Sequence, residues 1–237
     1  MTELKSRPQF KDLINDVSNS FRELTIHDRI GYSPSIGADI DTGSKDTLKA
    51  RVAIAALTGL VFAAERARNA ATLAQSWRNF NVGATAAMYN YSTGRFGYLD
   101  GYNVKPSKEG GLNLHAEQIA LSKGRSNSLN RLVGIAIYAD PNDEDSNPNR
   151  LNTLPPCDRC INMMTSAPEV DDRTLILGTN QDLSLCELYT FGSLTGKESA
   201  FFKLPAFSLK NDSDLEIYDK EIQPIAMSKI FRLFGLT

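Results

Sequence analysis

The chain has 237 residues, enough for one substantial domain with extensions. Its formal net charge of −2 gives no overall attraction to nucleic acid or to a membrane, so we expect neither as a partner. Its three cysteines are too few for a disulfide scaffold and favour a reducing compartment, so we expect a cytoplasmic protein.

The first part of the chain predicts an N-terminal helical extension over residues 1–50. A short helix is expected over Phe10–Leu24, and the run 31–37, which contains glycine, proline and serine, breaks any helix. Ser44 can then cap a long alanine-rich helix that we expect to continue to about Ser76.

Neither a secretory signal nor a membrane span is expected. The segment Met1–Leu13 is charged and lacks an apolar core. The longest apolar run, Val52–Ala64, is too short to cross a bilayer, so we interpret it as part of a buried helix.

A β-hairpin and a helix follow. Phe80–Tyr89 predicts a strand, Ser92-Thr93-Gly94 a turn, and Arg95–Asn103 the partner strand. The run Leu114–Leu121 predicts the start of a helix that ends near Gly124.

The remaining elements alternate between strand and helix. Arg131–Ala139 predicts a central apolar strand, and Pro141–Asn152 predicts a polar loop. A helix is expected from Pro156 to about Ser166, and Thr174–Gly178 predicts a fourth strand. This order of elements indicates the α/β class, with a mixed sheet between helices.

Two motifs supply the donors of a catalytic metal site. His115-Ala116-Glu117 provides an imidazole and a carboxylate, and Pro156-Cys157-Asp158-Arg159-Cys160 provides two thiolates. Catalytic zinc keeps three protein ligands and an open position for water, so we expect Zn²⁺ as the cofactor. Cys157 and Cys160 are three residues apart and would share one face of a helical turn. Glu117 would be left to move protons.

Two other interpretations of the cysteine pair are weaker. A structural zinc site built from four cysteines is impossible with three cysteines, and a mixed site would have to recruit His27 or Cys186. A redox pair would leave His115 and Glu117 unexplained. We expect Cys186 to be a buried, inert thiol.

The motif pair is the known signature of zinc-dependent deaminases, and further landmarks resemble the cytidine deaminase family. Phe80-Asn81-Val82-Gly83-Ala84 is similar to the family's F-x-V-G-A strand, and Gly101-Tyr102-Asn103-Val104 stands where the family has G-x-N-V/M-E. Leu204-Pro205-Ala206-Phe207 resembles its L-P-x-A-F segment with one residue fewer. His115-Ala116-Glu117-Gln118 resembles the branch of the family that uses histidine as the first ligand.

The resemblance implies a three-layer α/β/α sandwich with a mixed central sheet. It implies a catalytic domain over 51–210, between the N-terminal extension and a C-terminal extension over 211–237. It also implies a small-molecule nucleoside or nucleotide substrate and a homodimer or homotetramer.

The resemblance also assigns roles to individual residues. Zinc would be held by His115, Cys157 and Cys160, and Glu117 would transfer protons. The base would meet the Ala116 backbone N–H and the Phe80 ring, and Asn103 would contact the ribose. Phe80 is equally well explained as a core aromatic and Asn103 as a turn residue, whereas Phe207 is better explained as core.

Lys105 departs from the family pattern. The family has a glutamate there that accepts a hydrogen bond from a ribose hydroxyl, and an ammonium is a donor instead. Lys105 would suit a phosphate or carboxylate on the substrate, or it points to solvent. The acidic insert 143–145 is a second departure, which is either a surface loop or a border of the pocket.

Three functions follow from these observations. The first is a hydrolytic deaminase that converts a cytosine-type nucleoside, or a close relative, to the uracil form and releases ammonia. The second keeps this chemistry for another amino-bearing substrate: a nucleotide, a modified nucleoside, a free base or, least favoured, a polynucleotide. The third is a deaminase-like protein that binds without catalysis.

Overall fold

The structure is a computed structural model that describes residues 63–77, 80–90, 92–93, 95–107, 113–141, 153–198 and 201–233. The expected helix over Phe10–Leu24, the cap at Ser44 and the acidic insert 143–145 lie outside the described residues. Among the described helices, none has the length and hydropathy needed to span a bilayer.

Apart from two short strands that the sequence does not predict, at 75–76 and 104–105, the described elements follow the predicted order of helices and strands as far as the fourth predicted strand. In chain order they are α1 (63–71), β1 (Gln75–Ser76), β2 (Phe80–Tyr89), β3 (Phe96–Tyr102), β4 (Val104–Lys105), α2 (Ala116–Ser126), β5 (Arg131–Pro141), α3 (Asp158–Thr165), β6 (Leu175–Thr179), β7 (Cys186–Thr190), α4 (Phe191–Leu194), α5 (Asp212–Ile217), a π-helical segment (Tyr218–Ile222) and α6 (Gln223–Leu233).

The central sheet is mixed. Its five strands have the order β3-β2-β5-β6-β7. Only the central pair β5–β6 is parallel, and the other neighbours are antiparallel. Separately, β1 and β4 form a short parallel ribbon. The prediction of a mixed central sheet is confirmed.

Side chains of the sheet alternate between two apolar clusters, one on each face. The front cluster lies under α2 and α3 and includes Ala84, Ala120, Leu121, Ile135, Ile137, Met164 and Ile176. The back cluster lies under α1 and the C-terminal helices and includes Ala64, Ala67, Ala136, Tyr138, Leu177, Leu188, Leu215 and Tyr218. Helices therefore cover both faces, which makes three layers.

Two glycines let helices approach the sheet closely. A Cβ on Gly101 of β3 would lie 2.1 Å from the Ala116 carbonyl oxygen of α2. A Cβ on Gly83 of β2 would lie 1.7 Å from the Ala67 carbonyl oxygen of α1. Since no side chain fits at either point, the two glycines seat α2 and α1 on opposite faces of the hairpin.

The prediction that the long helix continues to Ser76 is wrong. The helix ends at residue 71, and the backbone N–H groups of Thr72 and Leu73 donate to carbonyls three residues earlier. The chain then has to become extended, because Gln75 donates its backbone N–H to the Asn103 carbonyl at 3.0 Å and pairs with β4. A tertiary pairing ends this helix, not a local breaker.

The C-terminal segment after β7 packs on the back face. Leu215, Tyr218 and Ala226 are buried in the back cluster, and the Phe207 ring lies 5.1 Å from the Tyr218 ring, centroid to centroid. The assignment of Phe207 to the core is confirmed, as is the burial of Cys186. The domain boundaries at residues 50 and 210 stay predictions.

Candidate metal centre

The three expected ligands lie at the starts of two helices. His115 is the N-cap residue of α2 and Cys157 is the N-cap residue of α3, both with extended backbone. Cys160 lies in the first turn of α3. Neither N-cap side chain caps the backbone of its own helix, so the imidazole and the thiol are available for another partner.

The donor atoms of these residues converge. The His115 Nδ1 atom lies 3.4 Å from the Cys157 Sγ atom and 3.3 Å from the Cys160 Sγ atom, and all three atoms lie within 4.8 Å of one another. A tetrahedral zinc ion with ordinary bond lengths separates such nitrogen and sulfur ligands by about 3.5 Å. A single ring nitrogen has one in-plane lone pair or proton, so near-equal contact with two sulfurs fits a shared cation better than two hydrogen bonds.

The centre is open on one side. Cys157 is exposed and His115 is half-buried, whereas Cys160 is 2 % exposed. A structural zinc site closes around four ligands, and a catalytic one leaves a position for water. Three donors with one exposed edge match the catalytic kind. This donor set fits Zn²⁺.

The electrostatic setting of the ligands also suits a cation. Burial, together with the charges of Lys105 and Arg159, lowers the pKa of His115, so the imidazole stays neutral as a metal ligand must. Burial and the neighbouring Glu117 and Cys157 raise the pKa of the Cys160 thiol. A thiolate at this place therefore needs a positive partner, and a coordinated metal provides it.

Glu117 is a buried carboxyl beside the ligands. It lies in the first turn of α2 with 4 % of its surface exposed. Its carboxyl hydrogen-bonds to its own backbone N–H and to the Cys160 thiol. Burial raises the pKa of Glu117, while those hydrogen bonds and the charge of Lys105 partly offset the rise. A carboxyl with a raised pKa can both accept and return a proton near neutral pH.

Two of the expected substrate residues are the first residues of their elements: Phe80 begins β2 and Ala116 begins α2. Phe80 is half-buried and packs against the front cluster. Ala116 is fully buried as the first residue of α2, where a backbone N–H has no acceptor within its own helix. Their contacts with a base stay predictions.

The Asn103 side chain forms two hydrogen bonds with the backbone of β2. It is 1 % exposed, its Nδ2 donates to the Phe80 carbonyl at 2.9 Å, and its Oδ1 accepts from the Val82 backbone N–H at 2.8 Å. The amide thus ties the residue that follows β3 to the start of β2. It keeps one further N–H and one lone pair, and its predicted ribose contact stays a prediction.

Lys105 lies close enough to the centre to act on it electrostatically. It is half-buried in β4, and its charge lowers the pKa of both His115 and Glu117. A role for Lys105 in the pocket stays a prediction.

Sequence reasoning missed Tyr189 of β7. Its hydroxyl is buried and has no hydrogen-bond partner among the described residues. Burial raises the pKa of Tyr189, and the charges of Glu187 and Glu117 raise it further. No local signal connects Tyr189 with Glu117, because only the pairing of β7 with β6 brings the tyrosine onto the front face.

Comparison with known proteins identifies one family. Residues 61–177 match the family model of the cytidine and deoxycytidylate deaminase zinc-binding region, a stretch that includes all three metal donors and Glu117. Comparison with curated protein sequences finds no significant match.

Solved cytidine deaminase structures resemble parts of the chain. The enzyme from Burkholderia pseudomallei shares 21 % identity over 56 % of this chain and 92 % of its own, with a TM-score of 0.44. The enzyme from Mycobacterium tuberculosis shares 26 % identity over 47 % of this chain and 78 % of its own, with a TM-score of 0.36. That from Mycobacterium leprae shares 22 % identity over 55 % of this chain and 91 % of its own, with a TM-score of 0.39.

These TM-scores lie below 0.5, so the assignment rests on the family match together with the sheet and the metal centre of this chain. The matched residues begin just before α1 and continue to β6, and they bring both ligand-bearing helix starts into one unit. On this basis residues 61–177 belong to the cytidine deaminase-like family.

Proposed function

We propose that this protein is a hydrolytic deaminase that replaces the amino group of a cytosine-type nucleoside, or a close relative, with oxygen and releases ammonia. The observation that carries the proposal is the buried Glu117 carboxyl beside three donors that converge within 4.8 Å. A binding protein without catalysis would have no need for a buried carboxyl at this place, because burial of such a group is costly.

The metal and the protein side chains would supply different parts of the reaction. When bound, zinc would lower the pKa of a coordinated water to about 7 and so supply the nucleophile. His115, Cys157 and Cys160 would hold the ion, and Cys157 would leave the approach from solvent open.

Glu117 would transfer protons from the attacking water to the substrate. It would accept one proton from the attacking water and deliver it to the ring nitrogen next to the amino-bearing carbon. A new C–O bond forms at that carbon, the remaining hydroxyl proton passes through Glu117 to the amine, and the C–N bond breaks as ammonia leaves. One water is consumed, one ammonia is released, and the product is the uracil form.

The substrate would be oriented by groups around the start of α2. The Ala116 backbone N–H would donate to the pyrimidine carbonyl, and the Phe80 ring would contact the base. Asn103 could use its remaining N–H toward the ribose while it keeps its two bonds to β2.

A location and an oligomeric state are also proposed. All three cysteines are free thiols, which supports the expected cytoplasmic location. A homodimer or homotetramer is proposed from the family resemblance.

The test is ammonia release by zinc-loaded protein from a panel of amino-bearing compounds. The panel contains cytosine, cytidine, deoxycytidine, their monophosphates and adenosine. Release from a cytosine compound, but not from adenosine, is the expected result. If no cytosine compound releases ammonia while zinc is bound, the proposed activity is wrong.

A further inference from the structure

The segment that leads into Cys157 is held four residues before this ligand. Thr153 donates its hydroxyl to the Glu187 carboxylate of β7. One residue on, the Leu154 backbone N–H donates to the Thr179 carbonyl, at the end of β6, over 3.4 Å. Thr153 and Leu154 are half-buried, and the Leu154 side chain packs against the front cluster. The segment therefore crosses β6 and reaches β7 along a fixed path.

Gly178 of β6 makes room for this path. It is the register partner of Glu187. A Cβ on Gly178 would lie 3.0 Å from the Leu154 carbonyl oxygen and 3.4 Å from the Thr153 Cβ atom. A side chain here would press on the segment, so the glycine lets the segment lie directly against β6, beside Glu187.

Two prolines make the connection from Thr153 to Cys157 stiff. Pro155 and Pro156 each fix φ at about −65°. Leu154 and Pro155 each precede a proline, which restricts them to extended backbone. Three consecutive residues thus have little freedom between Thr153 and Cys157, the ligand at the N-cap of α3. A displacement of Thr153 would therefore be passed on to the Cys157 thiol.

The Glu187 carboxylate is itself held in place. One of its oxygens accepts from Thr153, and the other lies 2.8 Å from the Lys203 Nζ atom. Lys203 bridges antiparallel to Tyr189 of β7, with backbone hydrogen bonds of 2.9 and 3.0 Å on either side. The hydrogen bonds from Lys203 and Thr153 lower the pKa of Glu187, so an ionised acceptor meets the Thr153 hydroxyl at neutral pH.

Cys157 is the ligand for which such support matters most. It is exposed, whereas His115 is half-buried and Cys160 is buried. Its thiolate has to lie about 2.3 Å from zinc, a distance that small displacements of the backbone disturb. Contacts that orient a ligand without touching the metal typically change metal affinity by about 10–100-fold.

We propose that Glu187 is a positioning residue for the metal centre: by holding Thr153 it fixes the segment 153–156 and, through this segment, the Cys157 thiol. The proposal rests on the zinc centre of the proposed deaminase and is independent of the substrate that the enzyme takes. Glu187 acts through Thr153, so its loss should weaken zinc binding although it supplies no ligand.

The test is the zinc dissociation constant of the purified chain, measured by competition with a chromogenic chelator. Thr153→Val removes the hydroxyl and keeps the branched shape, so zinc should bind about tenfold more weakly or worse. Thr153→Ser keeps the hydroxyl and should retain the wild-type affinity. This pair separates the contact with Glu187 from the mere presence of a side chain at residue 153.

Glu187→Ala tests the other partner of the contact. It should weaken zinc binding as Thr153→Val does. The double variant should bind zinc no more weakly than the weaker single variant, because both changes break the same contact. Asp172→Asn is the matched control: it breaks a similarly exposed ion pair with Lys197, just before the start of β6, and should leave zinc binding unchanged.

Circular dichroism and urea unfolding of the metal-free variants are measured alongside. A lower urea midpoint with unchanged zinc affinity would show that the contact is only structural and would overturn the proposal. Equal zinc affinities of Thr153→Val and Thr153→Ser would overturn it too, whereas ammonia release by the zinc-loaded wild type would leave the proposed function standing. If wild type binds no zinc, the metal centre is wrong and this proposal with it.

Discussion

The metal centre can be tested at the level of single thiols. Cys157→Ala and Cys160→Ala each remove one of three donors, so purified protein should fall from about one zinc per chain to nearly none. Cys186→Ala is the matched control, because that thiol is buried in the back cluster and should leave the zinc content unchanged. Elemental analysis gives the answer, and undiminished zinc in both ligand variants would exclude this site.

Glu117 is expected to act in chemistry and not in metal binding. Glu117→Gln keeps the shape of the side chain but removes its ability to accept a proton near neutral pH. General acid–base catalysis contributes about 10²–10⁴-fold, and because Glu117 would serve several transfers, kcat should fall by at least the upper part of that range. Zinc content should stay the same. Turnover near the wild-type value would exclude Glu117 as the proton carrier.

Substitution of Asn103 separates a structural role of this side chain from a role in ribose binding. Asn103→Ala leaves the Phe80 carbonyl and the Val82 N–H without their partner, and each buried unsatisfied group costs about 1–3 kcal/mol. We therefore expect the free energy of unfolding to drop measurably in denaturant titration. A variant that loses activity at unchanged stability would show that the asparagine serves the substrate alone.

At the level of elements, the site depends on how closely α2 approaches β3. In Gly101→Ala the added methyl would meet the Ala116 carbonyl oxygen at 2.1 Å, and backbone cannot yield as a side chain can. Overpacking costs about 1–3 kcal/mol, and we expect the upper end, together with loss of activity because the helix start carries His115 and Glu117.

Gly97→Ala is the control within the same strand. Its methyl would have no contact closer than 3.5 Å, to the Leu129 Cδ1 atom, so stability should change by less than about 1 kcal/mol. Thermal unfolding and turnover of both variants test the argument. Equal behaviour of the two alanine variants would show that the close approach is not what positions α2.

The sequence predicts most of these elements because their signals are local. The apolar runs predict β2, β5 and β6, and metal chemistry restricts the residue types that occur at positions 115, 157 and 160. The end of α1 at residue 71 has no such signal, since pairing between β1 and β4 decides it. The place of Tyr189 on the front face depends on strand register, which local patterns do not encode.

At the scale of the whole molecule, the candidate metal centre and the C-terminal helices lie on opposite faces of the sheet. The front face carries the helix starts that hold the donors, whereas the back face supplies a large apolar cluster that includes residues from the C-terminal helices. The two ligand motifs, which are about forty residues apart in sequence, meet because α2 and α3 lie on the same face. Spacing alone could indicate the ligands but not the face of the sheet on which they meet.

The central claim is that this centre carries zinc-dependent deamination, and reconstitution of metal-free protein tests it most directly. Treatment with a chelator should abolish ammonia release from a cytosine compound, and one equivalent of zinc per chain should restore it, whereas magnesium, which prefers oxygen ligands, should not. Circular dichroism should show that the metal-free protein stays folded. Undiminished ammonia release from the metal-free protein would contradict the account.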